Sequence, residues 1–112
     1  MIHETAKIGK NVVLGEHAVI EENVVIGDNV TIGHHAIIKK DTHIGSGVKI
    51  GDLAVLGKAA SSNKKMARQP KQAGAPLRIE DDAIVGASAV IYRDVLLEQG
   101  VFVGDMASIR EN

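Results

Sequence analysis

An aliphatic residue returns at every sixth position of this chain, and that regularity rules out most folds. Stepping by six from Ile2 gives Ile8, Leu14, Ile20, Ile26, Ile32, Ile38, Ile44, Ile50 and Leu56. Restarting at Ile79 gives Val85, Ile91, Leu97, Val103 and Ile109. Four residues after each anchor sits a small or β-branched residue, from Ala6, Val12 and Ala18 to Ala89, Val95 and Val101. Six is not a helical period, nor that of an ordinary meander. Anchor and partner are separated by four residues and then by two, so both face one side of an extended chain.

The remaining places in the repeat describe a corner. Glycine often follows the anchor directly, as at Gly9, Gly27 and Gly45, and the fourth place is often Asn, Asp or Gly, as at Asn11, Asp41 and Gly47. These residue types tolerate left-handed backbone and tight turns. A short strand, a corner and another short strand follow, with three strands closing a triangular coil of 18 residues. Stacked coils bury ladders of aliphatic side chains along a central axis. The expected fold class is all-β: a parallel β-helix of about five triangular coils. Residues 18 apart then stack at the strand spacing of roughly 4.8 Å. That sets Glu21 against Lys39, Glu22 against Lys40 and Asn11 against Asn29, pairings of opposite charges and of like amides that stacking favours.

The chain is 112 residues long, which is one domain at most. The repeats fill residues 2–60 and 79–112, and a loop, residues 61–78, interrupts them. Both prolines, Pro70 and Pro76, lie in the loop, and from Lys58 to Arg78 there is no acidic residue. The loop reads as a solvated basic connection or as an anion-binding arm. In the second reading Lys64, Lys65, Arg68 and Arg78 hold phosphates. Leu56 and Ile79 are 23 residues apart, not a multiple of six, so the periodicity leaves open which face Ile79 joins.

The whole chain carries a net charge of -1, which predicts no bulk attraction to nucleic acid or to an anionic membrane. There is no cysteine, hence no thiolate nucleophile and no Cys-ligated zinc. No apolar run reaches the length of a membrane span, and no signal peptide is seen. A cytoplasmic location is the default expectation.

The pattern resembles the hexapeptide-repeat transferase superfamily, over residues 2–60 and 79–112. The resemblance implies a left-handed parallel β-helix, a homotrimer with active sites between subunits, and acyl-CoA as co-substrate with no metal. The stretch from the basic loop through GDMASIRE is similar to sugar N-acyltransferases that modify nucleotide-linked amino sugars. The expected reaction is therefore transfer of an acyl group, acetyl first, from coenzyme A to an amino or hydroxyl group of a sugar nucleotide. Many relatives use a histidine as general base, and neutral imidazole suits that role near pH 7. His34 and His35 are the best candidates, at the third and fourth places of their repeat. His17 lies 18 residues before His35, and histidine is itself favoured at left-handed corners, so a purely structural role competes. The segment IEDDAIVGASAVIYRDV resembles a coenzyme-A-carrying repeat, in which small Gly86, Ala87 and Ser88 let a pantetheine arm lie against the backbone and bond its amides.

Two other readings stand beside this one. A non-catalytic solenoid would serve assembly, stacking through its bare coil edges. A γ-carbonic-anhydrase-like metalloenzyme would gather histidines at a subunit interface, but the spacing that class uses is missing after His34 and His35. The last repeat begins at Ile109 and stops at Asn112 without a cap, which leads to the expectation of a piece of a longer transferase.

Overall fold

The computed structural model describes residues 1–59 and 74–110. Strands in chain order are β1 Lys7–Ile8, β2 Val13–Leu14, β3 Val19–Ile20, β4 Val25–Ile26, β5 Thr31–Ile32, β6 Ile37–Ile38, β7 His43–Ile44, β8 Lys49–Ile50 and β9 Val55–Lys58. After the excursion come β10 Arg78–Ile79, β11 Ile84–Val85, β12 Val90–Tyr92, β13 Leu96–Leu97, β14 Phe102–Val103 and β15 Ser108–Ile109. They form three five-stranded sheets: β1-β4-β7-β10-β13 (first), β2-β5-β8-β11-β14 (second) and β3-β6-β9-β12-β15 (third). Every pairing is parallel, and all but Tyr92 with Lys58 join equivalent repeat positions. The expected parallel β-helix of about five three-sided coils is the observed one. Among the described residues no helix is long and apolar enough to cross a membrane.

The anchors and their partners make the core. Ile20, Ile32, Ile38, Ile44, Leu56 and Ile91 are fully buried, as are the small partners Val24, Val30, Ala36 and Val48. Each large aliphatic side chain taken out of water stabilises the fold by about 1.5–3 kcal/mol. One partner is polar: Thr42 is fully buried, and its Oγ1 has no hydrogen-bond partner among the described residues.

Ile79 rejoins the first sheet, pairing in register with Ile44 on one side and Leu97 on the other. Thirty-five residues separate Ile44 from Ile79 where neighbouring coils are 18 apart, so the excursion adds 17 residues without changing the register. The coil resumes slightly earlier than position 79. Leu77 already fills the inner place at 0% exposure, and its carbonyl accepts the His43 N–H at 3.0 Å. Arg78, expected in the loop, is a strand residue. The third sheet alone carries an irregularity. Tyr92 pairs with Lys58 after a register shift, and Gly57 opposite adopts φ 84°, a value natural to glycine.

Candidate active site

At two of the three corners, one side chain caps the coil beneath it. The third residue of a repeat accepts the backbone N–H of the third residue one coil below. Lys10 N–H donates to Asp28 Oδ1 at 2.8 Å, Asp28 N–H to Ser46 Oγ at 3.1 Å, and Ser46 N–H to Asp81 Oδ1 at 2.8 Å. Corner amides have no strand partner, and this ladder satisfies them.

The corner between the second and third sheets carries the candidate histidines. Its third places are Glu16, His34, Asp52, Ala87 and Asp105. Glu16 N–H donates to His34 Nδ1 at 2.7 Å, and His34 N–H donates to Asp52 Oδ1 at 2.8 Å. Ala87 has no side-chain acceptor, so the ladder stops there. The Asp52 N–H finds no acceptor among the described residues, while Ala87 N–H itself donates to Asp105 Oδ1 at 2.8 Å. A lone amide donor is thus exposed one coil above His34, beside a methyl group instead of a capping side chain.

The fourth places of this corner form a column of left-handed residues: His17 (φ 60°), His35 (57°), Leu53 (64°), Ser88 (59°) and Met106 (61°). Such dihedrals cost L-residues about 1–2 kcal/mol each. The rings of His17 and His35 stack, with centroids 5.1 Å apart and planes 15° from parallel. The two imidazoles at places three and four are therefore not equivalent. His34 Nδ1 is an acceptor, which puts the ring hydrogen on Nε2. Both nitrogens of His35 are without a hydrogen bond in the described structure.

Gly86, Ala87 and Ser88 share this corner with His34, His35 and Asp52, so the fold brings together two groups that the sequence holds some fifty residues apart. Their amides are already used. Gly86 N–H donates to Val103 O at 2.8 Å, Ala87 N–H to Asp105 Oδ1 and Ser88 N–H to Asp52 O at 2.8 Å. The expected bonding of a pantetheine arm to these three amides therefore has no free donor. Gly86 is small because a Cβ there would lie 2.5 Å from Asp105 Oδ1 and 2.6 Å from Asp105 N. Below the last coil, whose Gly104 and Asp105 amides are also without an acceptor among the described residues, the donor left for a ligand at this corner is Asp52.

The expected phosphate-binding residues divide. Lys64, Lys65 and Arg68 fall outside the described residues. Arg78 is exposed on the outer face of the first sheet, between His43 and Leu96, and so on the side of the triangle opposite the histidine corner. It lines an open cleft of about 330 Å³ with Pro76, Glu80, Asp94 and Leu96. Among the described residues no group of three or more His, Cys, Asp or Glu is arranged to hold a metal ion.

Sequence reasoning missed Asp52, because its contribution is a backbone amide made available by an alanine. The signal was present as a break in a column of polar third places. Lining up Ala87 over Asp52 required the length of the excursion.

Comparisons with known proteins agree with this architecture. The family model for the bacterial transferase hexapeptide (six repeats) matches residues 5–40 and 23–58, and that for the hexapeptide repeat of succinyl-transferase matches residues 76–110. No curated protein matches. Among solved structures, LpxA from Bacteroides fragilis 9343, a UDP-N-acetylglucosamine acyltransferase, is 30% identical with TM-score 0.71, over 98% of this chain and 41% of that one. Soybean serine acetyltransferase, complexed with serine, is 26% identical with TM-score 0.59, over 99% of this chain and 40% of that one. A GDP-perosamine N-acetyl transferase mutant from Caulobacter crescentus, in complex with CoA and GDP-perosamine, shares the fold at 19% identity and TM-score 0.62, over 97% of this chain and 51% of that one. The chain spans about half or less of the length of each.

Proposed function

We propose, from the premise that this chain belongs to the hexapeptide-repeat family of bacterial transferases, that it transfers an acyl group from acyl-coenzyme A to an amino or hydroxyl group of a sugar nucleotide. The observation that carries the reading is the unpaired Asp52 amide beside His34 and His35. Acyl transfer needs two things at one point: a base for the acceptor's proton and a donor for the oxyanion that forms on the thioester carbonyl. This corner supplies both.

In the reaction the acceptor nitrogen or oxygen attacks the thioester carbon and gives its proton to an imidazole. The carbonyl oxygen becomes an oxyanion and accepts the Asp52 N–H. Collapse breaks the C–S bond, and the thiolate of coenzyme A takes the proton back from the imidazole. One preorganised oxyanion donor contributes about 10²–10³ in rate. His35 has its ring nitrogens free for the proton. His34 would first have to release Glu16.

Support for the acceptor class comes from relatives. Two of them carry sugar-nucleotide names, while the soybean enzyme is named for serine. A single chain leaves this corner open on its outer side, and a homotrimer would close it with a neighbouring subunit. The test is calorimetric titration of acetyl-coenzyme A, with the mass of the particle recorded on the same sample, followed by a screen of amino-sugar nucleotides. Micromolar binding by a trimer is expected. A well-folded sample that binds no donor would transfer the case to the non-catalytic solenoid.

A further inference from the structure

One residue spans both mouths of the excursion, its backbone at the exit and its side chain at the return. The chain leaves the coil after β9 at Lys58 and is described again from Gly74. Arg93 stands between these points. Its N–H donates to Lys58 O at 2.9 Å, so it is fixed to the exit. Its Nη2 donates to Gly74 O at 3.1 Å, which fixes the return. Its Nη1 donates to Lys40 O at 3.3 Å and lies 3.9 Å from Asp41 Oδ2. The side chain is only 17% exposed. Asp94 seals the same junction, accepting Ala75 N–H on Oδ1 at 2.6 Å and donating its own N–H to Ala75 O at 2.8 Å.

A planar guanidinium offers five N–H groups in a rigid fork and can hold two carbonyls at once. A lysine ammonium has no such fixed geometry. At the other corners the third-place side chain caps the amide of the adjacent coil. Here it reaches past the mouth to a carbonyl two coils away. That reach goes beyond what stacking requires.

Arg93 also sits at a particular distance from the histidine corner. The stretch from Ser88 to Arg93, with β12 inside it, crosses the third sheet from the histidine corner to the excursion, five residues or at most about 16 Å. Its outward column, Val19, Ile37, Val55 and Val90, is apolar and half-buried. Lys58 and Lys40 are exposed at the far end, with Lys58 Nζ 5.5 Å from the Tyr92 ring centroid. An acyl-thioester at the Asp52 amide would lay its arm across this apolar column, which runs from coil to coil between the two corners, and end its phosphates near these cations.

We propose that Arg93 is a positioning residue for the donor's phosphates. By holding the carbonyls of Lys40 and Gly74 in place, its guanidinium sets where the basic side chains of this junction stand relative to the histidine corner. The proposal rests on the acyl-coenzyme A reading above.

The experiment compares wild type, Arg93→Lys and Arg93→Ala with two donors, acetyl-coenzyme A and acetyl-pantetheine, the second lacking the phosphates. For Arg93→Ala the KM for acetyl-coenzyme A should rise about tenfold with kcat little changed, while the KM for acetyl-pantetheine stays put. Arg93→Lys should fall between, because it keeps charge and loses the fork. An equal rise for both donors, or no rise for either, overturns the proposal. Tryptic cleavage after Lys64, Lys65 and Arg68 tests the clamp without any activity, and should quicken in Arg93→Ala. If wild type transfers nothing, the acyl-transfer reading fails by itself. Unchanged cleavage rates would then sink the clamp as well.

Discussion

His34 and Glu16 are tied across one coil by a single hydrogen bond, from the Glu16 N–H to the imidazole Nδ1 at 2.7 Å. The bond makes His34 a cap of the same kind as Asp28 and Asp52. It also sets His34 apart from His35, whose ring stacks on that of His17.

These two neighbours should separate on mutation. His34→Ala strands an amide at an exposed corner and should lower stability by about 0.5–1.5 kcal/mol. His34→Asp restores an acceptor and should recover that loss. His35→Ala removes no hydrogen bond, so the melt should barely move while kcat falls by about 10²–10⁴. Thermal melts and turnover measured on the three variants decide the matter. A kcat that collapses in His34→Asp and survives in His35→Ala would put the base on His34.

Ala87→Asn should mend the ladder. The new carboxamide oxygen would accept the Asp52 N–H, as Ser46 Oγ accepts that of Asp28. Stability should rise by about 1 kcal/mol, and acyl transfer should be lost because the oxyanion donor is taken. Denaturant midpoint and turnover, read on one preparation, check the opposite signs.

Thr42→Val should stabilise the protein by about 1–2 kcal/mol. The hydroxyl is buried without a partner, against Gly57 where the coil opens toward the excursion. A methyl in its place removes an unpaid desolvation at nearly the same volume. Urea unfolding measures it, and a less stable variant would mean that the hydroxyl has a partner in solution.

Gly27→Ala should be severe. Its Cβ would lie 2.7 Å from Ser46 Oγ, 2.8 Å from the Gly45 carbonyl carbon and 2.9 Å from Ser46 N. Forcing the coils apart costs about 1–3 kcal/mol or more. Gly104→Ala is the companion control, with nothing within 4 Å of the added Cβ in this 112-residue chain. Its midpoint should hold or rise by up to about 1 kcal/mol.

The hexad made the fold legible because every coil must turn the same residue inward, and no other architecture asks for that. The charge pairs tested it at finer grain. Lys39 Nζ lies 3.2 Å from Glu21 Oε2, as the 18-residue stacking requires. Glu22 and Lys40 form no such pair; the other oxygen of Glu21 instead accepts the Lys40 backbone N–H at 3.1 Å, and Glu22 is exposed. Asn11 and Asn29 share left-handed corners at φ 59° and 58°. The candidate site was only half legible. His34 and His35 stand out as residue types, but Ala87 is informative only once its coil partner is known. That partner depends on a 17-residue insertion whose length periodicity could not parse. Leu77 hid for the same reason, being a large residue at a small place directly after Pro76.

The excursion re-enters in the register it left, with Ile79 over Ile44. Scaffold and detour are therefore separable inheritances. Selection on the coils acts through core volume and corner dihedrals, and neither takes notice of what hangs between Lys58 and Gly74. A lineage is free to lengthen, trim or exchange that stretch while the melting point stays with the coils, so new specificities can be tried on this frame without first re-solving how it folds.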